Sequence, residues 1–210
     1  MVEAIHCRVC KSANMMSVLS LGEQALTGVF PRIAEAKIAK GPLELAWCSS
    51  CGLLQLKHSY SPDEMYGENY GYRSGLNMSM VRHLQQKIHT LETLYSLNAD
   101  EIVLDIGSND ATSLKSYISP CRKVGIDPTG GKFRKYYTDE IQLVVDFFSA
   151  EAFDRACPGK NAKIITSIAM FYDLEDPLQF VHDIEKVLAP EGVWHFEQSY
   201  MPSMLRTNAL

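Results

Sequence analysis

No run of about 18 apolar residues occurs in this 210-residue sequence, so no segment has the length and apolarity of a membrane-spanning helix. Long Lys/Arg runs are absent too. With 20 basic against 25 acidic side chains the net charge is -5, which argues against nucleic acid or an anionic lipid surface as a partner. The first residues, MVEAIHC, have neither the basic nor the apolar region of a secretory signal, and the expected location is cytoplasmic. In that reducing compartment six cysteines read as metal ligands or plain core residues and not as a disulfide framework. What is present, 46% hydrophobic residues, suffices for a real core and directs attention to small-molecule chemistry.

Four of the six cysteines form two C-x2-C pairs, Cys7 with Cys10 and Cys48 with Cys51. Two sulfurs three positions apart on a tight turn reach one ion, and two such turns complete a tetrahedral thiolate shell for zinc. The gap between pairs is wider than the roughly 15 to 20 residues of a zinc ribbon. A thiol-disulfide pair is the alternative, weakened because neither pair sits in a strand-then-helix pattern of thioredoxin type. A shell of four thiolates leaves no position for water, so the metal is structural, and it supplies folding energy to a module of about 60 residues with a thin core. Cys121 and Cys157 lack such a partner and read as core thiols. His6 and His58 beside the knuckles read as surface residues.

A tyrosine- and glycine-rich loop follows from Tyr66 to Asn77, with Gly67, Gly71 and Gly75 allowing close approach. Tyr70 and Tyr72 are candidate ligand contacts in it, or anchors of an interdomain linker. Leu76, Met80, Leu84, Ile88, Leu91 and Tyr95 then recur at helical spacing. Beyond residue 98, strands are expected at 102–106, 123–127, 142–148, 163–169 and 192–198 with helices between them. That alternation predicts an α/β Rossmann-like domain with a mostly parallel, doubly wound sheet. Asp176 and Pro177 mark a helix start, Ala189, Pro190 and Gly192 its end, and Val181, Ile184 and Leu188 its apolar face.

The first strand runs into VLDIGSND, residues 103–110. Gly107 would admit ligand to the backbone, and the amides of Ser108 and Asn109 at an expected helix start would receive a carboxylate. About 20 residues on, Asp127 closes the second strand and is placed to accept the ribose hydroxyls of an adenosine cofactor. A single glycine, where dinucleotide sites carry G-x-G-x-x-G, disfavours NAD and FAD and suits S-adenosylmethionine (SAM), which has no phosphates. Asp146 and Phe147, at the expected end of the third strand, would meet the adenine amine and cover the base.

CRVC, CSSCGLLQL at 48–56, YGYRSG at 70–75, VLDIGSND, GIDP at 125–128 and the segment DLEDPLQFVHDIEKVLAPEGVWHFEQSY together resemble the SAM-dependent sugar C-methyltransferases of deoxysugar biosynthesis. These carry an N-terminal zinc-binding domain. The resemblance implies a nucleotide-linked keto-deoxysugar as substrate and enolate formation before methyl transfer. It also implies structural zinc on Cys7, Cys10, Cys48 and Cys51, and SAM on Gly107, Ser108, Asn109, Asp127, Asp146 and Phe147. Ala169 and Met170 would line the methionine end, and Tyr72 the mouth. Tyr70 and Glu197 are candidate substrate contacts, Glu197 because it lies toward the carboxyl edge of the sheet, whereas His195 reads as a packed strand residue. In that family the base lies in a His-Glu-His segment for which this sequence, ending at Leu210, has no counterpart. No catalytic residue is therefore assigned, and the chain alone is expected to lack the base, with the domain incomplete at its C-terminus. The alternatives are a non-catalytic SAM-binding fragment or adaptor, and an O- or N-methyltransferase. The expected organisation is a zinc module at 1–65, a loop and linker helix at 66–97 and the Rossmann-like domain at 98–210; the oligomeric state is left open.

Overall fold

The computed structural model describes residues 2–25, 33, 38–61, 65–66 and 70–208, so Gly67 and part of the gap between the knuckles lie outside it. The chain forms two compact units, Met1–Tyr72 with Glu175–Gln179, and Arg73–Leu174 with Phe180–Leu210. Among the described residues no helix is long and apolar enough to cross a membrane.

In the first unit β1 (Val2–Glu3) pairs antiparallel with β5 (His58–Ser59). A separate three-stranded sheet has the order β2 (Met15–Ala25), β3 (Lys40–Cys48), β4 (Leu54–Leu56). Ten of the eleven β2 residues are exposed, so this hairpin contributes little apolar burial. The buried residues concentrate at the cysteine end, where Cys7, Ala46 and Cys48 are almost fully enclosed. His6 is exposed as expected, but His58 is half-buried and its Nδ1 is enclosed without a hydrogen-bond partner.

The second unit is built on five parallel strands, β6 (Ile102–Ile106), β7 (Arg122–Ile126), β8 (Ile141–Val144), β9 (Ala162–Ile168) and β10 (Leu188–Glu197), in the order β10-β9-β6-β7-β8. All five residues of β6 are buried, as a central parallel strand covered on both faces requires. One face packs under α1 (Met78–Leu94), whose Leu84, Ile88 and Leu91 are buried, Ile88 and Leu91 in a cluster with Val103 and Ile164. Asn77 caps this helix by accepting from the Ser79 amide at 2.9 Å. Across the sheet, Ile102, Leu104, Ile106, Val124, Ile126 and Ile165 meet Phe153 of α3 (Ala150–Ala156) and Phe180, Ile184 and Val187 of α4 (Pro177–Val187). Two short helices are α2 (Gly130–Phe133) and α5 (Met201–Thr207).

Four local expectations are corrected. No α-helix follows Gly107; residues 109–113, Asn-Asp-Ala-Thr-Ser, offer side chains that compete for backbone groups. Asn109 and Ala111 sit at positive φ, and only a 3-10 turn forms, at Ser-containing Leu114–Ser116. The third strand stops at Val144, because its partner β7 ends at Ile126 and the Asp127 amide closes the ladder on the Val144 carbonyl. Ala189 and Pro190 belong to β10, which begins directly after α4 with an irregular register. In α4 itself Val181 is exposed and the inward positions are Phe180, Ile184 and Val187. Asp176 does cap the helix, accepting from the Gln179 amide at 3.1 Å.

Candidate functional site

The knuckles bring Cys7, Cys10, Cys48 and Cys51 together with all four sulfurs within 4.8 Å of one another. Cys7 Sγ lies 3.6 Å from Cys51 Sγ, and Cys10 Sγ 3.6 Å from Cys48 Sγ. Sulfurs 2.3 Å from a tetrahedral zinc stand about 3.8 Å apart, so the cluster fits the ion. Each turn closes in the same way. The Lys11 amide donates to the Cys7 carbonyl and the Gly52 amide to the Cys48 carbonyl, and the residue after each second cysteine has positive φ, 59° at Lys11 and 82° at Gly52. Gly52 takes that conformation without strain; Lys11 does not. Desolvation opposes ionisation of Cys48, but amide donation from Cys51 and Ser50 outweighs it and brings the thiol down to about 7. Beside it, against amide donation from Leu53, burial and the neighbouring sulfurs push the Cys51 thiol up to about 12, and a divalent cation relieves this crowding.

In the second unit the strand order reverses at β6, which has β7 on one side and β9 on the other. The crevice beyond the carboxyl ends of β6 and β9 is therefore the topological switch point where open α/β sheets bind ligands. Gly107 follows β6 with φ 71°, and a Cβ there would touch the Met170 side chain at 3.6 Å. Ala169, just after β9, is held at φ 53°, and its amide donates to the Glu197 carbonyl at 2.7 Å. The sequence-predicted Gly107, Ala169 and Met170 thus line one crevice, with Glu197 beside them at the end of β10.

Asp127 is 5% exposed and acts on the protein before any ligand. Its Oδ2 accepts from the Asn109 amide at 2.7 Å, and its Oδ1 from the Thr129 amide and hydroxyl, both at 2.6 Å. Three of a carboxylate's roughly four acceptor positions are filled, leaving one on Oδ2. Of the two loop amides expected at the cofactor, that of Asn109 is taken. Its side-chain oxygen accepts from the Ser74 amide at 2.9 Å. Ser108 Oγ meets Tyr137 Oη at 2.8 Å, and that hydroxyl reaches the Asn109 carbonyl at 2.9 Å. Asp110, 1% exposed, accepts from the Gly75 amide at 3.0 Å and from Arg73 Nη1 at 3.3 Å. Arg73 in turn stacks 4.3 Å from the Tyr136 ring centroid. The loop is therefore clamped from two sides.

Asp146 and Phe147 lie apart from this clamp. Asp146 is beyond β8, its Oδ2 paired with Arg155 Nη2 at 2.8 Å, and the Phe147 ring beside it is 45% exposed. Tyr70 and Tyr72 belong to the first unit, where Tyr70 packs 5.5 Å from the Tyr66 ring. Sequence reasoning missed Arg73, Thr129 and Tyr137. Thr129 was legible as the donor of an Asx turn after Asp127; Tyr137 carried no signal, since nothing local ties it to Ser108. His195 is a half-buried strand residue whose enclosed Nε2 has no hydrogen-bond partner.

Residues 7–66 match a protein family described as "Putative zinc binding domain". The first unit is a zinc-binding module. The C-methyltransferase NovU of Streptomyces niveus is 24% identical over 97% of this chain and 49% of that protein, so the chain spans about half the length of this curated relative. Among solved structures, the plantazolicin methyltransferase BpumL in complex with SAH superposes with a TM-score of 0.50 at 13% identity, covering 64% of this chain and 52% of that one. Its complex with a pentazolic desmethylPZN analog and SAH gives 0.50 at 14% identity, over 71% and 59%. The second unit has the methyltransferase Rossmann-like fold.

Proposed function

We propose that this protein is a SAM-dependent methyltransferase acting on a carbon of a nucleotide-linked keto-deoxysugar. The observation that carries the reading is the switch-point crevice between Gly107 and Met170, joined in one chain to a four-thiolate zinc module. The 24% identity to a C-methyltransferase extends along 97% of this chain and supports it. The crevice fits the cofactor in kind. Gly107 has no side chain to obstruct it, and Asp127 keeps one acceptor position for a ribose hydroxyl. The exposed Phe147 ring and Asp146 would take the adenine, Ala169 and Met170 the methionine end, and Glu197 the sugar. When bound, SAM supplies an electrophilic methyl group; the protein orients the acceptor carbon and excludes water. Zinc takes no part in the chemistry and holds the first unit together.

In the same proposal the zinc module ends near residue 65, residues 66–97 connect it to the SAM-binding domain at 98–210, and the protein works in the cytoplasm without nucleic acid or membrane. The test is transfer of labelled methyl from SAM to a nucleotide-linked 4-keto-6-deoxyhexose, with the product carbon located by NMR. Label on oxygen or nitrogen would move the protein to another acceptor class. SAM binding with no transfer to any ketosugar would favour an adaptor.

A further inference from the structure

The three-stranded sheet of the zinc module keeps its polar face covered and its apolar face open. Strand pairing sets Met16, Trp47 and Leu54 side by side across β2, β3 and β4, and likewise Leu19, Leu45 and Leu56. Trp47 and Leu45 are two positions apart on β3, so both rows project from one face. The register irregularity between Ser17 and Leu19 keeps β2 in step, since an unbroken ladder would set Val18 opposite Leu45. The other face carries Ser17, Ala46 and Gln55 in one row and Ser20 beside Glu44 in the next. There Ala46 and Gln55 are buried, and Gln55 accepts from the Arg8 amide at 2.8 Å and donates to the His6 carbonyl at 3.3 Å. On the apolar face Met16 is 53% exposed, Leu19 38%, and Trp47 and Leu56 37% each. Val18 and Leu21, each about half exposed, lengthen the patch along β2.

We propose that two copies of this chain associate through this face, sheet against sheet, about a two-fold axis. The proposal is independent of the ketosugar reading. An open apolar area on the order of 500 Å² per copy gives about 1,000 Å² buried between two, the size from which a specific interface holds. Neither row carries an ionisable group. The Glu44 carboxylate lies on the other face, where Lys57 Nζ meets it at 3.2 Å. Two copies of a chain with a net charge of -5 therefore meet here without opposing like charges, whereas a nucleic acid or a strongly charged partner finds nothing to pair with. A flat face of apolar rows is also its own complement, which a two-fold contact requires. Pairing by strand edges is the competing geometry. β2 is at one edge of the sheet, but its register shifts twice, after Ser17 and after Ser20, and such irregularities blunt an edge against a further strand. Sheets packed by their faces need no free edge and stand about 10 Å apart, with the facing side chains filling the space.

Sedimentation equilibrium of the zinc-loaded full chain tests this. The mass should rise from 23.5 kDa toward twice that value. An interface of this size should give a midpoint in the micromolar range. Met16→Lys and Leu19→Glu should each raise the dissociation constant about 10-fold or more, because each places a charge among apolar contacts. Ser20→Lys puts a charge on the opposite face of the same strand and should leave the constant unchanged. All three variants should hold zinc and bind S-adenosylhomocysteine as the wild type does, since none touches the thiolate cluster or the crevice. Zinc content thus separates a lost interface from a lost fold, and Met16→Lys, at the most open position, keeps the test decisive if Leu19→Glu does not fold. In an equal mixture of isotope-labelled and unlabelled wild-type chains, the Met16 methyl should show NOEs to leucine methyls of the other copy. A wild-type chain that stays monomeric up to about 1 mM would overturn the proposal. So would a dimer that both apolar-face variants leave intact, or one that Ser20→Lys dissociates as readily. A monomer that binds phosphatidylcholine vesicles, and loses that binding in Met16→Lys, would assign the face to a lipid surface instead.

Discussion

Replacing Asp127 with alanine tests whether this carboxylate holds the loop as well as the cofactor. In the structure three donors converge on it within 2.7 Å, from Asn109 and Thr129, at a position 5% exposed. The Thr129 hydroxyl can rotate to another acceptor, but the two amides cannot. Leaving a buried donor unsatisfied costs about 1 to 3 kcal/mol each, so the variant should lose about 4 kcal/mol. That is a large share of the roughly 5 to 15 kcal/mol that stabilises a typical domain. At about 3 °C per kcal/mol for a chain of this size, the melting temperature should fall by roughly 10 °C. Asp127→Asn keeps an oxygen for Thr129 while turning an NH2 group toward the Asn109 amide, so it should cost about half as much. Urea denaturation of the zinc-loaded protein reads these differences. Calorimetry at a temperature where both variants remain folded should show SAM binding weakened on the order of 10- to 100-fold in the alanine variant, from one lost charged hydrogen bond. A wild-type urea midpoint in Asp127→Ala, or an asparagine variant less stable than the alanine one, would refute the anchoring argument.

Cys48→Ser, or a strong chelator, should remove zinc and unfold the first unit, because the exposed β2 hairpin leaves it little else to fold around; unchanged metal content in the variant would contradict this. Asp105 is fully enclosed, and burial first and then the Asp127 charge push its pKa up to about 7 against hydrogen bonds from Thr166 and Ser113. A carboxyl favoured in its protonated form contributes stability that is intact below about pH 4 and lost as the pH rises to 7. Asp105→Asn should therefore gain stability over wild type across that window, by up to about 4 kcal/mol, with the two equal near pH 4; a difference that stays flat with pH would count against it. A Cβ at Gly125 would collide with the Ser108 side chain, and Gly125→Ala should cost about 1 to 3 kcal/mol and weaken SAM binding, both readable by melting and calorimetry.

The zinc site, the parallel sheet and the place of the crevice were legible in the sequence for local reasons. Paired C-x2-C spacing with Gly52 sets two identical turns, and the βα alternation leaves few sheet topologies. Gly107, Asp127 and Ala169 each follow directly on a strand whose apolar run announces its end. The sequence did not determine that Asp127 also bonds the Asn109 amide, because that donor belongs to a separate loop folded over the sheet edge. Nor did it show that the polar segment after Gly107 would turn through positive φ at Asn109 and Ala111 instead of starting a helix, since that choice depends on the clamp supplied by Ser74, Gly75 and Tyr137. The pairing of His83 with Glu197 joins residues 114 positions apart. Sequence periodicity places His83 on an amphipathic helix and Glu197 at a strand end, but only the packing of α1 across the face that bears Val103, Ile164 and Val193 brings an imidazole and a carboxylate to one point.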